Sequence, residues 1–407
     1  MVVVALWLVS LLAIAIVNTA AQGVLDKDLD YLLLGLKKNK YEVWEDGRRT
    51  PIQYGPNATF FEWWYFDAVA DDGTTIVFGI YTADPYGTNR PVVNIQITNP
   101  DGKTVGLQQP FPFSAGSWEK SHANARVGAN YFRSTGGLDT YQLYCDPASM
   151  NGFGLNVTLK ANLPSWRPAT GYSGLSVAAA YFAWFVAVPE GGVTGTFTLP
   201  GGIQKSFKGT GYHDHNWGDV NLALLLSHWW WGRGKANGKV LIGAYLTGSV
   251  FSGYLKGPLM YIADVDTKKI LVSEYGNDNI DVTLSPPIPH PDPLYPRKTI
   301  GGGIKFTSSS GYAVMMNSGS PLLDSRDYSN TIPGILAIIG LDKLLDLHPW
   351  YTRFASQPTL KYPNGTTTSG VGTLEYYELV CIHSFVDFQI FTRLMADGGV
   401  LRFVARG

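Results

Sequence analysis

Residues Phe60 to Val69 read Phe-Phe-Glu-Trp-Trp-Tyr-Phe-Asp-Ala-Val. Period-two alternation sends Glu62, Trp64 and Phe66 to one side of an extended segment. It sends Phe61, Trp63, Tyr65 and Asp67 to the other. Asp71-Asp72-Gly73 then marks a turn, and Thr74 to Tyr81 supplies the second arm of a hairpin. Pro91 to Thr98 alternates again and stops at Asn99-Pro100-Asp101-Gly102, a strong turn signal. Further short strand candidates follow: Tyr131 to Phe132, Thr140 to Cys145, Gly154 to Ala161, Tyr181 to Val188 and Val193 to Leu199. A second series holds Val240 to Leu246, Leu259 to Val265, Ile270 to Tyr275, Ile304 to Thr307, Ala313 to Asn317, Tyr351 to Tyr362 and Val371 to Ile382. Strands this short with a turn signal after nearly every one predict a mostly β chain, an antiparallel sandwich or barrel rather than an α/β fold. Helix candidates are few and short: Leu25 to Asn39 and Ile335 to Leu347. Ser285 to Pro296 is Pro-rich and reads as an irregular extended loop.

The formal net charge is -1, with no basic or acidic bias. That argues against nucleic acid as a partner, because phosphate binding needs a cationic face. Aromatic residues make up 13% of the chain and charged residues only 15%. Such a chain can line a large apolar pocket, although carbohydrate binders share the composition. Met1 to Val17 is almost entirely apolar and is followed by small residues up to Ala21. This predicts a secretory signal over residues 1–21 and a secreted or lumenal protein; left uncleaved, it would be the chain's link to a membrane. Acceptor sequons at Asn57, Asn156 and Asn364 agree with that route. The two cysteines, Cys145 and Cys381, either form one long-range bridge or are two buried thiols.

The densest chemistry lies at Gly209-Thr210-Gly211-Tyr212-His213-Asp214-His215-Asn216-Trp217-Gly218-Asp219. In an extended conformation His213 and His215 share one face, and Tyr212, Asp214 and Asn216 the other. Three readings compete. A metal site would use both histidines, but no third ligand has the expected spacing and no Cys cluster exists. A proton-transfer site would use Asp214 or a histidine beside an apolar ligand. A structural cluster would have His, Asp and Asn satisfy one another where two sheets meet. Glu62 and Asp67 present a parallel choice. A carboxyl among aromatics is raised and suits a general acid, or else it pairs with a histidine of the central motif, which would bring the two segments together. Trp229-Trp230-Trp231 with Tyr245 forms a candidate aromatic wall for flat or polyene ligands. Lys343, Arg353 and Glu375 are candidates for an oxygen on a ligand. The chain lacks a G-x-S-x-G elbow, a P-loop and a dinucleotide fingerprint.

Glu62-Trp63-Trp64-Tyr65-Phe66-Asp67, then Gly211 to Gly218, then Trp229-Trp230-Trp231-Gly232 resemble the carotenoid 1,2-hydratase-like (hydroxyneurosporene-synthase-like) family, whose fungal branch contains Diels-Alderases. The resemblance implies two lipocalin-like β-domains, here 22–220 and 221–407, with a ligand pocket between or beside them. It implies no metal and no cofactor, and a hydrophobic small molecule as substrate. In the hydratase branch an acid protonates an isolated alkene. By similarity Asp214 would be that acid, set by His213, His215 and Trp217. In the pericyclase branch the pocket folds a reactive polyene by proximity and orientation, with hydrogen bonds that polarise one partner. Tyr212, Glu62 and Asp67 join the catalytic candidates. Trp64, Tyr65, Asn216, Trp217, Trp230, Tyr245, Lys343, Arg353 and Glu375 are the substrate-binding candidates. The signal and sequons look most like the glycosylated hetero-Diels-Alderases that join a sesquiterpene to a tropolone-derived o-quinone methide. A non-catalytic lipocalin-like carrier is the alternative outside enzymology.

Overall fold

The computed structural model describes residues 24–52, 60–82, 90–176, 179–219, 222–249, 254–295, 299–318, 321–328 and 349–379. The candidates Ile335 to Leu347, Lys343, Cys381 and Asn57 and the apolar N-terminal run lie outside them. Helix is scarce among the described residues, and none is long and apolar enough to cross a membrane. Helix α1 (Asp28–Leu34) ends where Gly35 turns left-handed at φ 68°, the backbone state that glycine adopts without a Cβ penalty. A second helix, α2 (Leu222–Leu225), joins the two halves of the chain.

The first half builds β1 (Phe61–Ala70), β2 (Thr75–Tyr81), β3 (Val92–Thr98), β4 (Thr104–Pro110), β5 (Gly116–Trp118), β6 (Asn124–Val127), β7 (Asn130–Ser134), β8 (Thr140–Cys145), β9 (Gly154–Ala161), β10 (Tyr172–Ser176), β11 (Ala179–Leu199) and β12 (Ile203–Gly218). Among the described residues these make one antiparallel sheet in the order β4-β3-β2-β1-β12-β11-β9-β8-β7-β6-β5, with β10 on β11. The β1–β2 turn follows from local chemistry. Gly73 sits at φ 89°, and Asp72 accepts the Thr74 backbone N–H at 2.8 Å. The sheet curls around a core that includes Trp64, Phe66, Phe78, Phe132, Tyr141 and Phe185. Each large apolar side chain taken from water contributes roughly 2–3 kcal/mol.

The second half adds β13 (Leu226–Ala236), β14 (Lys239–Gly248), β15 (Lys256–Asp264), β16 (Ile270–Tyr275), β17 (Ile280–Leu284), β18 (Pro287–Pro289), β19 (Thr299–Gly301), β20 (Gly303–Ser308), β21 (Ala313–Asn317), β22 (Leu322–Asp327), β23 (Trp350–Ser356), β24 (Thr359–Lys361), β25 (Thr367–Ser369) and β26 (Val371–Glu378). A sheet ordered β16-β15-β14-β13-β26-β23-β22 packs against a smaller one ordered β17-β20-β21-β24-β25. Their shared core contains Trp230, Ile262, Phe306 and Phe354. A third apolar cluster unites the halves: Phe61, Trp184 and Tyr212 from the first sheet with Trp231, Tyr261 and Tyr377 from the second. The chain is therefore the mostly β protein expected, made of curled antiparallel sheets.

Two local readings change. Tyr181 to Val188 and Val193 to Leu199 are one strand, β11, because two bulges, between Phe185 and Val188 and between Val188 and Gly191, carry the chain through. Carbonyls left over at the bulges are used by neighbours: Ser165 Oγ donates to Ala187 O at 2.7 Å and Asn162 N to Glu190 O at 2.9 Å. The Pro-rich 285–296 stretch is not wholly irregular, since Pro287–Pro289 pairs with Thr299–Gly301. The central motif, from Gly209 to Gly218, forms the C-terminal part of β12, near the sheet's centre. Gly211 allows this, because a Cβ there would lie 2.7 Å from Val193 Cγ2.

Candidate functional site

β1 and β12 are antiparallel neighbours, with Glu62 opposite Trp217, Trp64 opposite His215, Tyr65 opposite Asp214 and Asp67 opposite Tyr212. The two motif segments therefore meet along their whole length, and alternation sorts their side chains onto two faces.

One face turns into the first core. His215 Nε2 lies 2.8 Å from Glu62 Oε1, and its ring stacks on Trp64 at 4.5 Å. Glu62 also accepts the Arg49 N–H at 2.6 Å, the Thr50 N–H at 3.0 Å and the Thr50 hydroxyl at 2.6 Å. His213 donates Nδ1–H to Tyr65 O at 2.9 Å, and its Nε2 meets Asp46 Oδ2 at 3.0 Å. Tyr141 donates to the same Asp46 oxygen at 2.8 Å. Burial presses the His213 imidazole down, but Asp46, the Tyr65 carbonyl and the Asp214 charge together offset this and the net direction is up. These contacts fasten residues 42–50 across the curled sheet. Five of the candidates chosen from sequence thus sit away from the pocket: Glu62, Trp64, His213, His215 and Trp217, the last packed in the same core. The arrangement corrects the expectation that the histidines and Trp217 surround Asp214, because neighbours in a strand point to opposite sides. Among the described residues, no group of three His, Cys, Asp or Glu side chains is placed to hold a metal ion.

The other face meets the second sheet and lines a pocket of about 150 Å³. Its apolar walls are Trp63, Phe182 and Trp184 from the first sheet and Trp229, Trp231, Leu246 and Tyr377 from the second. Trp231 stands 5.4 Å from Tyr212 and 5.9 Å from Tyr65, ring centre to ring centre. Its buried indole N–H has no partner among the described residues. Alternation also splits the expected aromatic wall. Trp229 and Trp231 face the pocket, whereas Trp230 and Tyr245 turn into the second core and so are not wall residues.

Asp214 opens into this pocket. Its Oδ2 accepts from the Tyr212 hydroxyl at 2.6 Å and from Trp184 Nε1 at 2.7 Å, and its Oδ1 from Asn216 Nδ2 at 2.8 Å. Burial raises the carboxyl to about 6, against the pull of the Tyr212 and Trp184 hydrogen bonds. A second carboxyl, Glu375, lies on β26. Tyr351 donates to it at 2.6 Å and Tyr65 reaches it at 3.4 Å. Burial pushes Glu375 up to about 7, opposed by Arg353 and the Tyr351 hydroxyl. Asp67 is held by two cations from the other half, Arg353 Nη2 at 3.0 Å and Arg233 Nη2. Asp67 and Arg353 are therefore partners that tie the two sheets together behind the pocket.

Sequence reasoning missed Trp184, Arg233, Tyr351 and Arg326. Trp184 was visible inside the apolar run Tyr181 to Val188, and its parity with Phe182 marks one face. Arg233 and Arg326 carry no local signal, because their roles come from strand pairing across the two halves. Of the glycosylation candidates, Asn156 and Asn364 are exposed, and Cys145 is buried as a free thiol.

No family model matches the chain. It is 27% identical over 235 residues to the quinolone epoxide rearrangement protein penF of Penicillium thymicola, covering 52% of this chain and 60% of penF. It is 27% identical over 192 residues to the hexane cyclase gkaB of Penicillium citrinum, covering 42% of each. The chain thus aligns with less than two thirds of the length of either relative. Among solved structures, CghA with Sch210972 superposes with a TM-score of 0.60 at 14% identity, over 84% of this chain and 97% of CghA. These likenesses support the resemblance to carotenoid 1,2-hydratase-like proteins in its broad form. The chain has the curled β fold of CghA, and its sequence is similar to fungal cyclase and rearrangement proteins.

Proposed function

We propose that this chain is a cofactor-independent cyclase of fungal secondary metabolism, and more narrowly a Diels-Alderase or hetero-Diels-Alderase. Its substrate is a hydrophobic terpenoid or polyketide carrying a polyene or an o-quinone methide. The observation that carries this reading is Asp214: a buried carboxyl, raised to about 6, in the wall of an aromatic pocket between two sheets. Trp63, Trp184 and Trp231 exclude water and hold the reacting ends together, which lowers the barrier by orientation. The neutral Asp214 carboxyl then donates to oxygen as negative charge develops there in the cycloaddition. An associated dehydration uses the same acid. Asp214 protonates the departing hydroxyl, the carboxylate so formed takes the proton lost from the substrate, and water leaves as the conjugated system forms.

The likeness to penF, a quinolone epoxide rearrangement protein, and to gkaB, a hexane cyclase, supports this class of chemistry. Incubation of purified protein with candidate polyenes tests it, by comparing product stereochemistry with the uncatalysed reaction. Product identical in rate and stereochemistry to the blank sinks the proposal and leaves the carrier reading. The raised Asp214 also suits a second reading, hydration of an isoprenoid double bond, in which the acid protonates the alkene and water traps the cation. Oxygen from labelled water in the product selects hydration over cycloaddition. We further propose passage through the secretory pathway with glycans at Asn57, Asn156 and Asn364; an unchanged gel mobility after endoglycosidase treatment of the native fungal protein would count against it.

A further inference from the structure

At the rim of the same pocket the edges of the two large sheets come together. Edge strand β22 lies against β3 and β4. Gln96 Nε2 donates to Asp324 at 2.8 Å, and the Thr104 hydroxyl donates to Leu323 O. Between them stands Arg326. Its Nε pairs with Asp324 at 2.9 Å, and its Nη1 donates to Asn94 Oδ1 at 3.3 Å and to Gln108 Oε1 at 3.0 Å. The guanidinium therefore occupies the carbonyl oxygens of both amides. That turns the two amide NH2 groups away from Arg326, and neither finds a hydrogen-bond acceptor among the described residues. Asn94, Gln108 and Arg326 all line the aromatic pocket, and Gln108 and Arg326 also border a second, more polar groove of about 460 Å³. The corner presents N–H groups and no free acceptor from these two amides. Arg326 keeps 22% of its side chain exposed, so a ligand can reach it.

We propose that Arg326, Asn94 and Gln108 form a subsite for an oxygen-acceptor head group, a carboxylate or an enolate, at one end of the hydrophobic substrate. This deepens the proposed function and rests on the pocket being the seat of that substrate. The apolar part lies among Trp63, Trp184 and Trp231. The head group takes up donors from both sheet edges and so fixes which end of the chain faces Asp214. An alcohol offers only a weaker, uncharged acceptor to the guanidinium and the two amide N–H groups.

The test uses two probes of equal chain length, (2E,4E)-decadienoate and (2E,4E)-decadien-1-ol, titrated against quenching of tryptophan fluorescence. Wild-type protein should bind the acid about tenfold or more tighter than the alcohol, as charge-assisted hydrogen bonds imply. R326Q should lose about tenfold in acid affinity and leave alcohol affinity within about twofold. Q108L, which removes one neutral donor and keeps the guanidinium, should lose about threefold for the acid alone. Should R326Q fail to fold, the wild-type comparison and Q108L still decide the matter. Equal binding of acid and alcohol by wild type overturns the subsite while leaving the apolar pocket standing. Parallel loss of both probes in R326Q overturns it as well, since the residue would then only join the sheets. Quenching by neither probe overturns the pocket as a substrate seat, and the subsite with it.

Discussion

Replacing Asp214 with Asn removes the titrating proton and nearly preserves shape. The amide oxygen can still accept from Tyr212 and Trp184, and Asn216 can turn its own amide to meet the new NH2. The carboxyl is raised from 3.8 to about 6 by burial, which corresponds to about 3 kcal/mol. The sign follows from the direction of the shift. A raised folded-state value means that the folded chain holds the proton more tightly than the unfolded one. Its stabilising contribution is complete below pH 3.8 and is lost as pH rises through about 6. D214N should therefore match wild type near pH 4. It should be more stable near pH 8, by up to about 3 kcal/mol less the charge-assisted hydrogen bonds given up. Activity should move the other way. A positioned acid contributes on the order of 10²–10⁴ in rate, so D214N should lose that much in turnover while binding substrate normally. Wild-type turnover should fall about tenfold between pH 5 and pH 7, following the neutral fraction of a group near 6. Denaturant melts at both pH values and single-turnover product formation across pH 4.5–8 check both halves. Full activity in D214N, or a wild-type rate that climbs through pH 6, refutes the acid role. A less stable D214N at pH 8 refutes the electrostatic argument beneath it.

Other expectations concern the groups around Asp214. D67A leaves Arg353 and Arg233 without their shared carboxylate, and removing one partner of a buried pair costs about 3–5 kcal/mol; denaturant unfolding should show that loss. E62A leaves four buried or half-buried groups, on Arg49, Thr50 and His215, without their shared carboxylate and should destabilise by several kcal/mol, while the pH profile of surviving activity keeps its inflection near 6. A shifted inflection would place Glu62 in the chemistry rather than in the core. W231F retains an aromatic wall but deletes the unpaired indole N–H; turnover should drop about tenfold or less, the weight of one neutral hydrogen bond, with little change in stability. Treatment with a chelator should leave turnover unchanged, and loss of activity restored by added zinc would revive the His213–His215 metal reading.

The β class was legible because its signal is local. Alternation in Phe60 to Val69 and turn residues such as Asp72-Gly73 act over a few positions, and the structure reproduces β1, β2 and β3 nearly at the expected bounds. Merging of two expected strands into β11 was not legible, since the bulges depend on donors from Asn162 and Ser165 elsewhere in the chain. The same limit governs the site. Parity alone put Asp214, Tyr212 and Asn216 on one face and the two histidines on the other. It could not say which face was core, because both are crowded with aromatics and both are buried.

The sequence by itself determined an antiparallel β chain, the density of chemistry at Tyr212 to Trp217, and the pairing by parity within each strand. Only the tertiary structure decided which side of each strand meets the pocket. The choice depends on the second sheet covering the Tyr65–Asp214 face with Trp231, Tyr351 and Glu375. It depends equally on residues 42–50 closing over the Glu62–His215 face with Asp46 and Thr50. Those partners are distant in sequence, and they set the environment that raises Asp214 while making His215 a core residue.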